Sequence, residues 1–490
     1  LSKIKVGRIS NINVGRAEAT STNAMNRDDF QKQSATAAAT GDGEGFPLLS
    51  DPVTNASIPL FVENLLRGEK PRAEWMCGAE FELFGYDRAR GFERIDAGQV
   101  QRVLAGFAPS SNDLVHEGGT LVETGDGQRN RLTVEPGGQV EFSGSPQRSL
   151  VDIERELRRH LARLREIAES NRLAFLAVGF DPLRTIEEQR WFPKQRYEVM
   201  RPYLASRGRR AWDMMCRTCS VQANLDYGPP EDLAKKFLAG NRLAPIVTAM
   251  FANSPFENGR PSGYKSTRAA AWLDTDPDRS GVAPPALRDD FAPADYVAYA
   301  LDVPMIFAQR QGRYDGAVAG VRFRQFLERG YAGIAPVFGD WADHLTTIFT
   351  DARLKQHVEL RSADANDLET SLAFQALWKG LFYDAATLDE ALRLAPRLKS
   401  ADAVILRERV ARDGLSAHHA GVDVLKLARE TVTLAVEGLK RVAPDEVAYL
   451  DVLGERVVVE GVCPADILLR NWEGSWHGSM ERVIEHLRVA

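Results

Sequence analysis

The chain has 490 residues, 44% of them hydrophobic and 27% charged, with a formal net charge of −6. That composition belongs to a globular protein able to bury one large core or two to three smaller ones, and it contains no Lys/Arg-rich run of the kind nucleic-acid binding requires. Its four cysteines are too few and too scattered for a secreted disulfide framework, and no run of about 18 apolar residues is present to span a membrane as a helix.

Residues 1–45 are rich in Ser, Thr, Ala, Gly and Asn without helical or strand periodicity, so they read as a disordered segment. Within it, residues 1–24 set Lys3, Lys5, Arg8 and Arg16 against the single acid Glu18, a balance shared by targeting segments and added tags. The cysteine usage points to a reducing compartment. The cytoplasm is the expectation, with a plastid the alternative if residues 1–24 are a targeting remnant.

From residue 46 onward, strands and helices interleave. A helix is expected over 57–67 and a strand over 76–84. Two strand segments follow within 130–143, broken by the turn sequence Pro136, Gly137 and Gly138. Ser149 with Asp152 resembles a capping box, and Ile153, Leu157, Leu161, Leu164 and Ala168 then recur at helical spacing. A buried strand over 173–180, a helix over 195–206, a strand over 217–227 and a helix over 231–251 come next. Residues 253–281 read as a long polar loop whose Arg260, Arg268 and Arg279 match the fork geometry of carboxylate or phosphate recognition. Strands are expected over 300–308 and 356–361. From about 370 the pattern is helical, with Val424, Ala428, Val432, Ala435 and Leu439 on one stripe. The order predicts an α+β body from 46 to 490 whose sheet has one wet face, with 370–490 a helical portion packed on it.

The wet faces of these strands carry unusual side chains. Glu80 and Glu82 flank Phe81; Gln139, Glu141 and Ser143 alternate with Val140 and Phe142; Thr218, Ser220, Gln222 and Asn224 alternate with Cys219, Val221 and Ala223; His357, Glu359 and Arg361 alternate with Val358 and Leu360. Any one such pair is ordinarily a solvated face, but four together place several acids on one surface. Two carboxylates roughly 6–7 Å apart repel by about 2–3 kcal/mol at an effective dielectric near 20, so a divalent-cation cleft is the natural reading. Cys216 and Cys219 form a C-x-x-C without a second pair at zinc-ligand spacing and without a helix start for redox chemistry, so they read as packed, inert thiols. No phosphate-binding G-x-x-x-x-G-K-[ST], dinucleotide G-x-G-x-x-G or serine-hydrolase G-x-S-x-G is present. Clustered acids without these motifs fit a two-metal phosphohydrolase or nuclease, or a catalytically silent binding protein.

The strings CGAEFELFGY, TVEPGGQVEFSGSP, KQRYEVMRPYL, DMMCRTCSVQANLDY, ANSPFENGRPSGYKSTR, WLDTDPDRSG, YALDVPM and HLTTIFTDARLKQHVELRSAD resemble, in order over about residues 55–475, the plant-type glutamate–cysteine ligase family. The resemblance implies a glutamine synthetase-like antiparallel sheet curved around an acidic funnel, with helices on its outer face. It also implies ATP-dependent formation of γ-glutamylcysteine with Mg²⁺, small-molecule partners only (L-glutamate, L-cysteine and ATP), and a monomer or homodimer. By the same resemblance Glu80, Glu82, Glu135, Glu141 and Glu359, with Gln222, are expected to hold Mg²⁺. Asn224, beside them, is expected with Trp272, Arg279, Tyr197 and Arg217 around the substrates, and Arg279 and Arg361 in the catalytic step. Plant members carry a regulatory disulfide whose positions are Glu154 and Leu372 here, so that switch is not expected. Within the ligases, a relative joining glutamate to a different amine is the alternative.

Overall fold

A computed structural model describes residues 46–490. The expectations for residues 1–45 lie outside the described residues.

Alternating apolar and polar side chains fold into one antiparallel sheet of ten strands. In chain order they are β1 (Cys77–Asp87), β2 (Glu93–Arg94), β3 (Leu114–Glu117), β4 (Thr120–Gly125), β5 (Arg131–Val134), β6 (Val140–Ser143), β7 (Leu173–Leu176), β8 (Ser220–Leu225), β9 (Ala352–Leu354) and β10 (Val358–Asp364). The sheet runs β9-β10-β8-β1-β6-β5-β4-β3, and β2 and β7 pair with the far end of β1. β1 is long enough to pair with β6 and β8 through its first half and with β7 through its second.

One sheet face is dry. Ala79, Phe81 and Leu83 of β1, Val221, Ala223 and Leu225 of β8, and Val358 and Leu360 of β10 are all buried there. Among the helices are α1 (Leu150–Asn171), α2 (Gln195–Ala205), α3 (Pro230–Met250), α4 (Thr267–Trp272), α5 (Leu368–Phe382), α6 (Ser400–Asp413) and α7 (Val424–Val442); α3 packs on β10 and α5 on β8, covering the dry face, and α7 packs on α5 behind them. Both α3 and α5 are buried almost all round, as a helix sandwiched between a sheet and a second helical layer must be. Gln375 of α5 donates to the Gln222 carbonyl at 2.7 Å, pinning the helix to β8. The crossing of α5 with α7 is set by glycine. A Cβ on Gly380 would stand 2.3 Å from the Ala435 carbonyl oxygen, and one on Gly438 would strike the Gly380 carbonyl, so the two backbones touch.

Three expectations are corrected. The apolar stretch over 300–308 is not a strand: Pro293–Asp302 is a helix whose Tyr296, Val297, Ala300 and Leu301 face the core at helical spacing, and the short strand Ala308–Arg310 follows it. The polar loop 253–281 contains α4, capped by Ser266, whose side chain accepts from the Ala269 N–H. Ser149 caps α1 by accepting from the Val151 N–H, but Asp152 does not close a capping box. The helix Ala97–Phe107, started by a capping box of Asp96 and Gln99, was not anticipated.

Two histidines are buried and a third is half-buried. His160 is held between Phe107 and Phe142, His344 against Phe323 with its Nε2 2.8 Å from the Ala300 carbonyl, and His357 lies beside Lys355. Burial pushes each down to about 3. A histidine whose folded pKa lies below its unfolded value of about 6.5 costs stability as pH falls from 6.5 toward 3, because only the unfolded chain takes up the proton. Each therefore removes about 2 kcal/mol between pH 7 and pH 5. We expect denaturation midpoints to fall over that interval, and His160→Phe to recover about one histidine's share. An unchanged pH slope in His160→Phe would show that His160 titrates normally.

Candidate active site

The second sheet face is built from rungs of cross-strand neighbours. Glu123, Thr133, Glu141 and Glu82 form one rung across β4, β5, β6 and β1; Ser143, Glu80 and Gln222 form the next across β6, β1 and β8; Gly78, Asn224, Glu359 and Arg353 form a third across β1, β8, β10 and β9. The period-two alternation thus brings Glu80, Glu82, Glu141, Gln222, Asn224 and Glu359 onto one surface, with Arg361 at its edge. Glu82 faces Glu141 directly, and on the reverse side Phe81 faces Phe142.

The acids divide into two groups. Glu82 accepts from the Ser220 N–H (2.6 Å) and Gln222 Nε2 (3.0 Å), Glu80 from Asn224 Nδ2 (2.8 Å), and Glu141 from the Thr133 hydroxyl (2.7 Å). None of these donors is charged. Burial, together with the neighbouring carboxylates, pushes Glu80 to about 7, Glu82 to about 8 and Glu141 to about 7. Glu135 stands at the β5–β6 turn, where Tyr197 donates to the adjacent Val134 carbonyl at 2.6 Å and its hydroxyl lies 3.4 Å from Glu135 Oε1. That turn is drawn tight because a Cβ on Gly137 would meet the Cys216 carbonyl oxygen at 2.4 Å.

Glu359 differs. Arg353 clasps both its oxygens at 2.6 Å, Arg361 reaches Oε1 at 2.6 Å and Lys355 reaches Oε2 at 3.2 Å. Burial alone would raise this carboxyl, but Arg353, Lys355 and Arg361 hold it well below the usual range. Glu359, expected among the metal-holding acids, has both oxygens engaged by the cations around it. Gln222 is likewise occupied: its amide nitrogen serves Glu82 and Ser220, and its oxygen accepts from Arg361 at 2.5 Å, so it spaces Arg361 from Glu82.

Among the residues expected around the substrates, Trp272 and Arg361 line a small cavity with Thr248, Arg268, Asp351, Ser362 and Arg407. Arg279 does not reach it. Its guanidinium is fully buried, paired with Asp276 at 2.7 Å and donating to Thr347, Tyr203 and the Pro304 carbonyl, which ties loop 273–281 to loop 346–350. Arg217 is similarly enclosed, 2% exposed and bonded to Asp213, Glu257 and Asn258 over the Phe180 ring. Both fix the surrounding loops, and neither lines the cavity. Composition favours exposed arginines, so their burial had no sequence signal. Arg268 is 5% exposed and donates to the Arg361 carbonyl at 2.8 Å, which places it at the cavity. Arg353, Lys355, Asp351 and Arg407 were not anticipated. The first two follow Glu359's alternation backwards through the β9–β10 hairpin and were readable there; Arg407 belongs to a helix with no motif.

Among the described residues no three His, Cys, Asp or Glu side chains close a ready-made metal shell. The donor set still fits Mg²⁺. Glu80, Glu82, Glu135 and Glu141 offer only oxygen, and the first, second and fourth are raised in a way that an adjacent dication would reverse. Mg²⁺ is held through one or two carboxylates together with substrate phosphates, so an open shell is what such a site needs.

An antiparallel sheet with acids on one face and helices on the other is a glutamine synthetase-like fold. The chain belongs to glutamate–cysteine ligase family 2, whose model matches residues 76–486. It is 37% identical over 479 residues to the chloroplastic glutamate–cysteine ligase of Brassica juncea, covering 95% of this chain and 90% of that one. It is 38% identical over 462 residues to the chloroplastic enzyme of Arabidopsis thaliana, covering 92% and 86%. The fold is shared with the glutamate–cysteine ligase of Francisella tularensis, solved in complex with AMP, at a TM-score of 0.51 and 13% identity, covering 84% of this chain and 87% of that one.

A carboxyl whose folded pKa is raised favours folding fully only below its unfolded pKa, and that contribution is lost as pH rises through the folded value. For Glu82 the window runs from about 4.5 to about 8. In the absence of divalent cation at pH 8.5, Glu82→Gln is therefore expected to raise Tm by roughly 2–5 °C, with the gap closing toward pH 5. A variant melting below the parent at pH 8.5 would mean that Glu82 is not strained by its neighbours.

Proposed function

We infer that this chain joins the γ-carboxylate of L-glutamate to the amine of L-cysteine at the expense of ATP, giving γ-glutamylcysteine, ADP and phosphate, the first step of glutathione biosynthesis. The observation that carries this reading is a single sheet face with uncompensated acids at one end and an arginine-lined cavity at the other, on a chain of this family. When bound, Mg²⁺ would neutralise charge on the ATP β- and γ-phosphates, and Glu80, Glu82, Glu135 and Glu141 are the residues that would hold it.

The γ-carboxylate oxygen of glutamate attacks the γ-phosphorus of ATP and ADP leaves, giving γ-glutamyl phosphate; the neutral amine of cysteine then attacks the acyl carbon and phosphate leaves. No side-chain nucleophile is required. Arg361 stands where both halves meet, bonded to Gln222 and Glu359 and lining the cavity, a position that supports a role in offsetting charge on the transferring phosphoryl group. Glu359 fixes that position: an arginine held by a buried carboxylate keeps one geometry through the reaction. Trp272, packed on Phe349, walls the amino-acid end from water.

ADP release measured with glutamate and a panel of amines, with and without Mg²⁺, tests the reading. We expect turnover to require glutamate and Mg²⁺ and to favour cysteine. Preference for another amine would identify the related glutamate–amine ligase, and ATP hydrolysis indifferent to glutamate would discard the ligase assignment. Glu80→Gln is expected to lower kcat at least 10³-fold without lowering Tm, because the acid contributes charge and not packing. The four cysteines are unpaired and buried, and burial raises their thiols. Activity should accordingly differ by less than twofold between reducing and oxidising buffers; a larger change would reveal a thiol switch at other positions than those of the plant enzymes.

A further inference from the structure

The arginine-lined cavity includes a side chain supplied from the far end of the sequence. Arg407 projects from α6 toward Asp351, its Nη2 donating to Oδ1 at 3.0 Å. Its Nη1 lies 2.6 Å from Asp351 Oδ2, yet it makes no properly directed hydrogen bond and is buried. Two more polar groups at the same cavity have no partner, the indole nitrogen of Trp272 and the hydroxyl of Ser362, whose residue is 4% exposed. Buried donors are rarely left open without a purpose. Three guanidinium groups, Arg268, Arg361 and Arg407, face one carboxylate among the lining residues, Asp351. The remaining offset comes from outside the cavity, where Asp364 stands 3.9 Å from Arg268 and Glu359 clasps Arg361. The lining itself carries more guanidinium than carboxylate, and its open donors surround a space too small for a nucleotide base but adequate for a carboxylate group.

We propose that Arg407, with Arg268, Trp272 Nε1 and Ser362 Oγ, forms the receptor for the α-carboxylate of an amino-acid substrate, so that the C-terminal helical portion supplies part of the substrate site. This rests on the ligase reading above. Asp351 serves as the resting counter-ion: it faces Nη1 and Nη2 with one oxygen each, and the remaining N–H groups of the five on the guanidinium are left for a second carboxylate. Gly281 makes room for this arrangement. A Cβ there would stand 2.9 Å from Arg407 Nη1, and the residue has φ +87°, which a side chain would strain.

Glutamate and cysteine both carry an α-carboxylate, and each has an analogue that lacks only that group: 4-aminobutyrate for glutamate and cysteamine for cysteine. The experiment compares the parent enzyme with Arg407→Met and Arg407→Lys, using all four compounds as substrates or competitive inhibitors in the ADP-release assay. Arg409→Met on the same helix, exposed and donating only to the His418 carbonyl, is the control. In Arg407→Met the KM of one amino acid should rise 10- to 100-fold, the constant of its decarboxylated analogue should stay within twofold, and the KM of ATP should be unchanged. Arg407→Lys should recover only part of the loss, because an ammonium cannot grip a carboxylate with two parallel bonds. A response confined to the glutamate pair assigns the cavity to the donor, and one confined to the cysteine pair assigns it to the acceptor. Equal effects within each pair, or none, would overturn the proposal while leaving the ligase reading intact. A parent enzyme showing no glutamate-dependent ADP release would instead defeat the ligase reading. Should Arg407→Met fail to fold, Arg407→Lys carries the same comparison.

Discussion

Glu82 and Glu141 oppose each other across two hydrogen-bonded strands, and the free energy of holding them there is the constraint around which the molecule is organised. Like charges directly across a strand pair are destabilising, and burial makes them more so. The offset lies on the other side of the same strands, where Phe81 meets Phe142 and the rest of the dry face packs under α3 and α5. An aromatic pair of this kind contributes about 0.5–1.5 kcal/mol beyond its burial. The sheet therefore works as a lever with an apolar side that sets register and a charged side that is carried along with it. A one-residue slip would turn the acids into the core, so register and site are specified by the same interaction.

Charge on the wet face is sorted and not mixed. Neutral donors such as Asn224, Gln222 and Thr133 attend Glu80, Glu82 and Glu141, leaving them as centres of negative potential, whereas Glu359 draws Arg353, Lys355 and Arg361 about itself. Had the cations been spread evenly, each acid would have found a partner and the face would have been inert to phosphates and dications alike. Sorting creates a gradient from acid to base along a few rungs of sheet. A reaction that moves a phosphoryl group from a cation-bound nucleotide to a carboxylate needs such a gradient, with both ends fixed before substrate arrives.

The strands bearing the site were legible because a two-residue period is unambiguous when one face is Val, Phe, Ala and Leu and the other is Glu, Gln and Asn. The segment 300–308 was not, since an apolar run reads equally as strand or helix until its neighbours show that Tyr296, Val297, Ala300 and Leu301 recur by threes and fours. Family resemblance drew attention to Arg279, but the physical role of an arginine depends on what surrounds it. Fully buried against Asp276 and Thr347, Arg279 braces loops, while Arg268, eleven residues earlier in the same loop sequence, reaches the cavity. Arg407 carried no local signal at all, because an isolated arginine on an amphipathic helix is ordinarily a solvated side chain.

The order of strands has a consequence for synthesis. β1 lies between β6 and β8, but β10, which completes the charged face beyond β8, leaves the ribosome much later. At bacterial and eukaryotic elongation rates the nascent chain bears Glu80 and Glu82 for roughly a quarter of a minute to a minute before Glu359 and its cations emerge. Through the later part of that interval, once β8 has been made, its outer side is an open edge able to pair with any extended segment nearby until the hairpin β9–β10 closes it.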